Sequence, residues 1–202
     1  MTGETDLNID YYCALTSPWS YMGHGRLADM AAEAGAVIRI HPVNALEVFD
    51  QTGGLPLPKR SPQRQAYRLQ ELPRWRDRHG IQLNIHPSYF PADETAAALL
   101  VIAARESGGD AFGLAGRFMR AVWAEDRNIA DTATIAEIVG EAGLSHTELS
   151  RTAEEIDAAA IRNQEAEEAI AQGVFGFPTY VVGDDMFWGQ DRLDFVRERL
   201  KQ

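Results

Sequence analysis

Residues 7–41 read LNIDYYCALTSPWSYMGHGRLADMAAEAGAVIRIH, and this stretch decides the fold. Leu7 to Thr16 carries β-branched and aromatic side chains with no helix cap, which predicts a buried strand. Ser17 and Pro18 follow. Serine is a favoured N-cap and proline is favoured at the first helical position, so a helix is expected from Pro18 to Ala34. Gly35 supplies its C-cap. Val37 to His41 alternates apolar and polar residues and reads as a second strand, stopped by Pro42. Strand, helix and strand in this order make a βαβ unit, so the two strands are expected to be parallel.

Outward from this unit the chain turns helical. Residues 44–59 read as a loop punctuated by Gly53, Gly54, Pro56 and Pro58. Arg64 to His79 has the pattern of a basic amphipathic helix, bent at Pro73. Ile81 to Pro91 reads as a connecting loop with a short extended piece. Asp93 is placed to cap an Ala/Leu helix that stops at Gly108-Gly109, and another helix is expected from Ala111 to Trp123. Asp131 caps a helix through Gly140, Ser145 with Glu148 forms a capping-box pattern, and a long helix is expected from Ala153 to Gln172. Near the end of the chain, Phe177-Pro178 leads into two short apolar runs joined by a Gly-Asp turn, a hairpin signature. Gln190 to Gln202 reads as a final helix with Leu193, Val196 and Leu200 on one face.

The order is therefore β-α-β, a helical block, then β-β-α, which is the thioredoxin topology. The expected class is α/β: a thioredoxin-like fold carrying a large all-helical insertion. Residues 1–43 and 174–202 form the thioredoxin-like domain in this reading, and 44–173 the insertion.

Composition narrows the partners. A net charge of −11 argues against nucleic acid, whose phosphates call for a basic surface. The basic exception is local: Lys59, Arg60, Arg64, Arg68, Arg74, Arg76 and Arg78 crowd one segment. The first ten residues are acidic and the first Lys or Arg is Arg26, so the basic start of a secretory signal is missing. The longest near-continuous apolar run, Ala96 to Ala104, is too short to span a bilayer. The expected protein is soluble and cytoplasmic, with no membrane partner.

Three features carry chemistry. The strand-to-helix turn reads Ser17-Pro18-Trp19-Ser20, where thiol redox proteins of this topology carry C-x-x-C. The positive end of the helix dipole stabilises a thiolate, but the turn has no thiol, so the thiolate must come from a ligand. Read from the residues alone, Ser17 is also an ordinary helix cap, and the two roles are compatible. Phe177-Pro178 stands where this topology places a cis proline, whose preceding residue offers its backbone to a peptide-like ligand. Gln190 and Asp191 open the last helix and are candidates both for capping it and for holding an ammonium. The sole cysteine, Cys13, lies within the first strand and reads as a small core residue. The five histidines lack metal-ligand spacing, so no metal is expected.

Four blocks, TSPWSYMG at 16–23, KRSPQRQAYRLQEL at 59–72, RAVWAEDRNIAD at 120–131 and GVFGFPTYVVGDDMFWGQDRL at 173–193, resemble the 2-hydroxychromene-2-carboxylate isomerase family. That family is related to kappa-class glutathione transferases and, more distantly, to DsbA. The resemblance runs from about Leu7 to Leu200. It implies that Ser17 activates the thiol of glutathione, that the backbone at Phe177 and Pro178 holds its cysteinyl part, and that Gln190 and Asp191 meet its γ-glutamyl end. Arg64 or Lys59 would bind its glycyl carboxylate. Trp19, Trp123 and Asn128 would lie on the substrate side. Some relatives carry an asparagine where this chain reads Thr52-Gly53-Gly54-Leu55, which removes one contact.

The implied activity is a glutathione-dependent cis-trans isomerisation of an aromatic enone-type substrate in aromatic-compound catabolism. The family reaction interconverts 2-hydroxychromene-2-carboxylate and trans-o-hydroxybenzylidenepyruvate. A homodimer is also implied. The alternatives are a kappa-like glutathione transferase or a non-catalytic glutathione-binding module. A DsbA-like disulfide oxidoreductase is disfavoured because the turn lacks both thiols.

Overall fold

The computed structural model describes residues 7–202. Residues 1–6, which hold most of the acidic start of the chain and the outer end of the 1–43 segment, lie outside the described residues.

A four-stranded sheet of order β2-β1-β3-β4 forms the centre, with β1 at Asn8–Cys13, β2 at Val37–Pro42, β3 at Thr179–Val182 and β4 at Asp185–Trp188. β1 pairs parallel with β2, while β3 runs antiparallel to both β1 and β4. This is the thioredoxin-like arrangement that the order of elements predicts. β1 is buried on both faces, and its side chains alternate between them as a strand requires. Ile9, Tyr11 and Cys13 enter the larger apolar cluster; Tyr12 and Ala14 enter the smaller one, with Val43, Val48, Ala166 and Phe177.

α1 spans Pro18–Ala34 and ends at Gly35, whose φ of 66° is the left-handed conformation that glycine adopts without a Cβ penalty. Gly23 lets α1 approach the C-terminal segment. A Cβ there would stand 2.6 Å from the Tyr180 hydroxyl oxygen and 3.1 Å from Gln190 Cβ. The helices between β2 and β3 are α2 (Ala45–Thr52), α3 (Pro62–His79), α4 (Thr95–Glu106), α5 (Ala111–Trp123), α6 (Thr132–Glu141), α7 (His146–Glu155) and α8 (Ala158–Ala171). α4 and α5 pack against β2, and Val101, Phe118 and Trp123 share one apolar core with Ile9 and Leu27.

The structure departs from the sequence-based expectations in four places. The loop expected over 44–59 contains α2, capped by Asn44, whose side chain accepts from the Leu46 N–H at 3.2 Å. The helix expected over 153–172 starts later: residues 153–155 end α7, and α8 begins at Ala158. Asp157, at φ 51°, breaks the chain and then caps α8 by accepting from the Ala160 N–H at 3.1 Å. The last helix starts later than expected: residues 190–192 form a short 3-10 turn, and α9 spans Leu193–Arg199. No extended piece forms between Ile81 and Pro91, which instead ends in a cis Phe90-Pro91 bond. Asp131 and Ser145 cap α6 and α7 as predicted.

Candidate active site

The site is built around the first turn of α1. Ser17 has extended backbone geometry and its Oγ accepts from the Ser20 N–H at 3.2 Å, so it is the N-cap. That bond uses the oxygen and leaves the hydroxyl hydrogen to donate. Pro18 has no N–H, and the N–H of Trp19 has no partner among the described residues. A hydroxyl donor and a backbone donor thus lie in the first turn at the positive end of a 17-residue helix. No acidic side chain lies in the first turn to neutralise it.

Glu94 holds the approach to this turn. Its Oε2 accepts from the Thr16 N–H at 2.7 Å and from the Thr16 hydroxyl at 2.8 Å. Its Oε1 lies 3.4 Å from the guanidinium of Arg162, which also donates to the Pro42 carbonyl at 3.0 Å. Burial raises the Glu94 pKa against the opposing pull of Thr16 and Arg162. Glu94 has no local signature in the sequence, because its partner Thr16 lies 78 residues away.

The Phe177-Pro178 bond is cis, as expected. Thr179 pairs with Tyr12 across the sheet, so the proline lies beside the end of β1, just before the Ser17 turn. No hydrogen bond among the described residues uses the N–H or C=O of Phe177. Its side chain is buried against Phe49, at 5.9 Å between ring centroids. Gly189 donates its N–H to the Pro178 carbonyl at 2.9 Å, which draws the Gln190-Asp191 turn to the same edge.

The two residues of that turn have different surroundings. Asp191 is exposed, with Arg192 as its ion-pair partner at 2.8 Å. Gln190 is buried: its Oε1 and its carbonyl accept from Arg26 Nη1 at 3.1 and 3.0 Å. Neither residue makes a side-chain cap bond. Gln190 is thus a strut between α1 and the C-terminal segment.

Lys59 and Arg64 are both exposed, Lys59 at the end of a short 3-10 turn and Arg64 in the first turn of α3. Trp19 is half-buried and packs against the larger core cluster. Trp123 is fully buried, behind Phe90 at 4.9 Å between ring centroids. Asn128 shapes the turn before α6, where its Oδ1 accepts from the Ala130 N–H at 3.1 Å. The structure therefore sets Phe177 and Pro178 beside the end of β1 that leads to Ser17, ties the Gln190-Asp191 turn to Pro178 through Gly189, and gives Trp123 and Asn128 internal roles in the core and a turn.

The chain's own thiol is out of play. Cys13 is buried, and burial raises its pKa well above the ordinary thiol range. Among the described residues, no group of three or more His, Cys, Asp or Glu side chains is placed to hold a metal ion, and no helix is long and apolar enough to cross a membrane.

The sheet order, the α1 turn and the cis proline opposite it define a thioredoxin-like domain whose redox position carries serine. A model of the DSBA-like thioredoxin domain matches residues 8–201. A 2-hydroxychromene-2-carboxylate isomerase from Pseudomonas putida is 30% identical over 197 residues, covering 95% of this chain and 93% of the relative. A solved 2-hydroxychromene-2-carboxylate isomerase superposes with a TM-score of 0.79 at 26% identity, covering 96% of this chain and 95% of that one. The cytosolic disulfide reductase DsbM from Pseudomonas aeruginosa, solved with GSH, shares the fold at a TM-score of 0.66 and 19% identity, covering 97% of this chain and 100% of that one. The chain belongs to the DSBA-like thioredoxin family and, within it, to the 2-hydroxychromene-2-carboxylate isomerase family.

Proposed function

We propose that this protein is a glutathione-dependent isomerase of conjugated aromatic carboxylates, with Ser17 as the residue that holds the cofactor's sulfur as thiolate. The observation that carries the reading is the Ser17 hydroxyl: its oxygen is engaged by Ser20, its hydrogen is free, and it stands on the helix end that favours a negative charge. The fit to glutathione rests on the unpaired backbone of Phe177, which offers a donor and an acceptor to a peptide beside this helix end. A named relative has the isomerase activity, and a fold neighbour was solved with GSH.

When bound, glutathione supplies the nucleophilic sulfur that adds reversibly to the conjugated double bond, permits rotation about it and leaves. The chain's residues bind, orient and stabilise. The Ser17 O–H and the Trp19 N–H donate to the sulfur position. The Phe177 N–H and C=O pair with the cysteinyl peptide. Asp191 faces the γ-glutamyl ammonium, and Arg64, with Lys59 nearby, the glycyl carboxylate. Cys13, sealed in the core, does not compete for the electrophile.

The test is conversion of 2-hydroxychromene-2-carboxylate followed by absorbance, with and without glutathione. Turnover that requires glutathione supports the reading. Turnover of equal rate without it removes the cofactor from the reaction. Glutathione binding by calorimetry with no isomerisation would leave a binding module or a transferase.

A further inference from the structure

Arg68 lies one helical turn beyond Arg64 on α3 and is half-buried. Its guanidinium stands over the rings of Phe90, at 5.3 Å, and Trp123, at 5.6 Å. Ring faces attract the cation but offer no lone pair to its in-plane N–H groups. Accordingly Arg68 Nη2 is buried with no hydrogen-bond partner, and the Nε1 of Trp123 is a second buried donor without one. Buried donors without acceptors are costly and uncommon in folded proteins.

The charge is equally uncompensated. Although the chain has 30 acidic residues against 19 basic, no ion pair forms at Lys59, Arg60, Arg64 or Arg68 among the described residues. Burial, and then the like charge of Arg60, pull the Arg68 pKa down to about 10. Arg68 also lines a cavity of about 350 Å³. Its other walls are Leu57, Leu69, Ile85, Pro87 and Phe90, with Gln65 and His86 as the polar members and no acidic residue in the lining. The volume falls in the roughly 300–1,000 Å³ range of small-molecule sites. Apolar and aromatic walls around one unpaired guanidinium match a flat aromatic ring bearing a carboxylate.

The cavity is also within reach of the Ser17 turn. Phe90 is four residues from Glu94, a span of about 14 Å at most, and the Glu94 carboxylate binds Thr16 directly.

We propose that Arg68 is the carboxylate-binding residue for the aromatic substrate, pairing with it in the cavity between α3 and the segment ending at Phe90. The placement relative to the reacting bond rests on the isomerase reading above; the binding site itself does not. The exposed Arg64 and Lys59 are left for the cofactor's carboxylate, which separates the two anions by one turn of α3.

The probes are trans-2-hydroxycinnamate and its methyl ester, titrated into wild type, Arg68→Met and Arg68→Lys by calorimetry without glutathione. Wild type is expected to prefer the acid by about tenfold or more, Arg68→Met to lose the preference, and Arg68→Lys to keep part of it, because a point charge replaces the planar fork. Arg68→Met should melt no lower than wild type, since it removes a buried donor that lacks an acceptor, and should bind glutathione unchanged. A wild type that binds neither probe or does not distinguish them overturns the proposal. So does an acid preference that survives in Arg68→Met, or a loss of glutathione affinity in its place. Should Arg68→Met fail to fold, it supports a structural role for Arg68, and an acid preference left unchanged by Arg68→Lys then overturns the proposal. Acid preference in a protein that does not isomerise the chromene would refute the reaction and leave this site standing.

Discussion

The N–H of Gly189 donates to the carbonyl of Pro178 at 2.9 Å, and this single bond couples the Asp191 turn to the cis proline beside the Ser17 turn. The geometry depends on glycine. Gly189 has a φ of 108°, and a Cβ there would stand 2.5 Å from Asp191 Oδ1. Gly189→Ala is expected to lower stability by about 1–3 kcal/mol through backbone strain. It should also weaken glutathione binding, because the added methyl displaces the carboxylate assigned to the γ-glutamyl end. Urea unfolding and calorimetry read the two effects separately; an unchanged glutathione affinity would detach Asp191 from the cofactor.

Glu94 holds the Ser17 turn through Thr16, and under the proposed function it acts without touching the reacting atoms. Glu94→Gln forces one amide N–H₂ toward either the Thr16 N–H or Arg162, where only an acceptor fits. The expected cost is about 1–3 kcal/mol. Because Ser17 itself is intact, KM for glutathione should rise more than kcat falls. Steady-state kinetics at saturating aromatic substrate check this, and equal losses in both would show a merely structural role.

His24 supplies a pH dependence of stability. Burial lowers its pKa to about 4, and the neutral ring donates from Nε2 to the Phe112 carbonyl at 3.0 Å. In the unfolded chain the same histidine titrates near about 6.5. Between these values the unfolded state binds the extra proton, so stability falls as pH falls from about 6.5 to 4, by on the order of 3 kcal/mol across the window. His41 acts in the opposite sense. Burial alone would lower its pKa, but the Asp10 and Glu165 carboxylates outweigh burial and raise it, so its contribution is present in acid and lost as pH rises through the raised pKa. Urea midpoints at pH 7 and pH 5 for wild type and His24→Gln isolate the first effect, and the variant should show the flatter dependence.

What the sequence made legible follows from local rules. The caps at Ser17, Asp131 and Ser145 and the parallel pairing of β1 with β2 each depend on residues close together in the chain. α2 was hidden because Gly53, Gly54, Pro56 and Pro58 read as one long loop, although Asn44 and Gly53 mark its two ends as caps. The break at Asp157 carries no glycine or proline, so a left-handed aspartate inside an alanine-rich run passed as helix. Three features are long-range and have no local signature. They are the Glu94–Thr16 bonds, the burial of Gln190 under Arg26, and the placement of Arg68 over the packed rings of Phe90 and Trp123. At the candidate site, the Ser17 cap and the cis Phe177-Pro178 bond follow from local turn chemistry, whereas Arg68 reads in the sequence only as one of a run of basic residues.

The most direct measurement compares Ser17→Ala with Ser17→Asp. Alanine removes both the cap acceptor and the hydroxyl donor; aspartate keeps the cap acceptor, removes the donor and adds a negative charge. Ser17→Ala should lose about 0.5–2 kcal/mol of stability and Ser17→Asp should lose little of it. Both should lose glutathione-dependent turnover, and the bound cofactor's thiol pKa, read from thiolate absorbance near 240 nm (a roughly known thiolate band), should rise in both toward its value of about 8.5 for a free thiol. Wild-type turnover and an unshifted thiol pKa in Ser17→Asp would contradict the account, because they would leave Ser17 as a helix cap and nothing more.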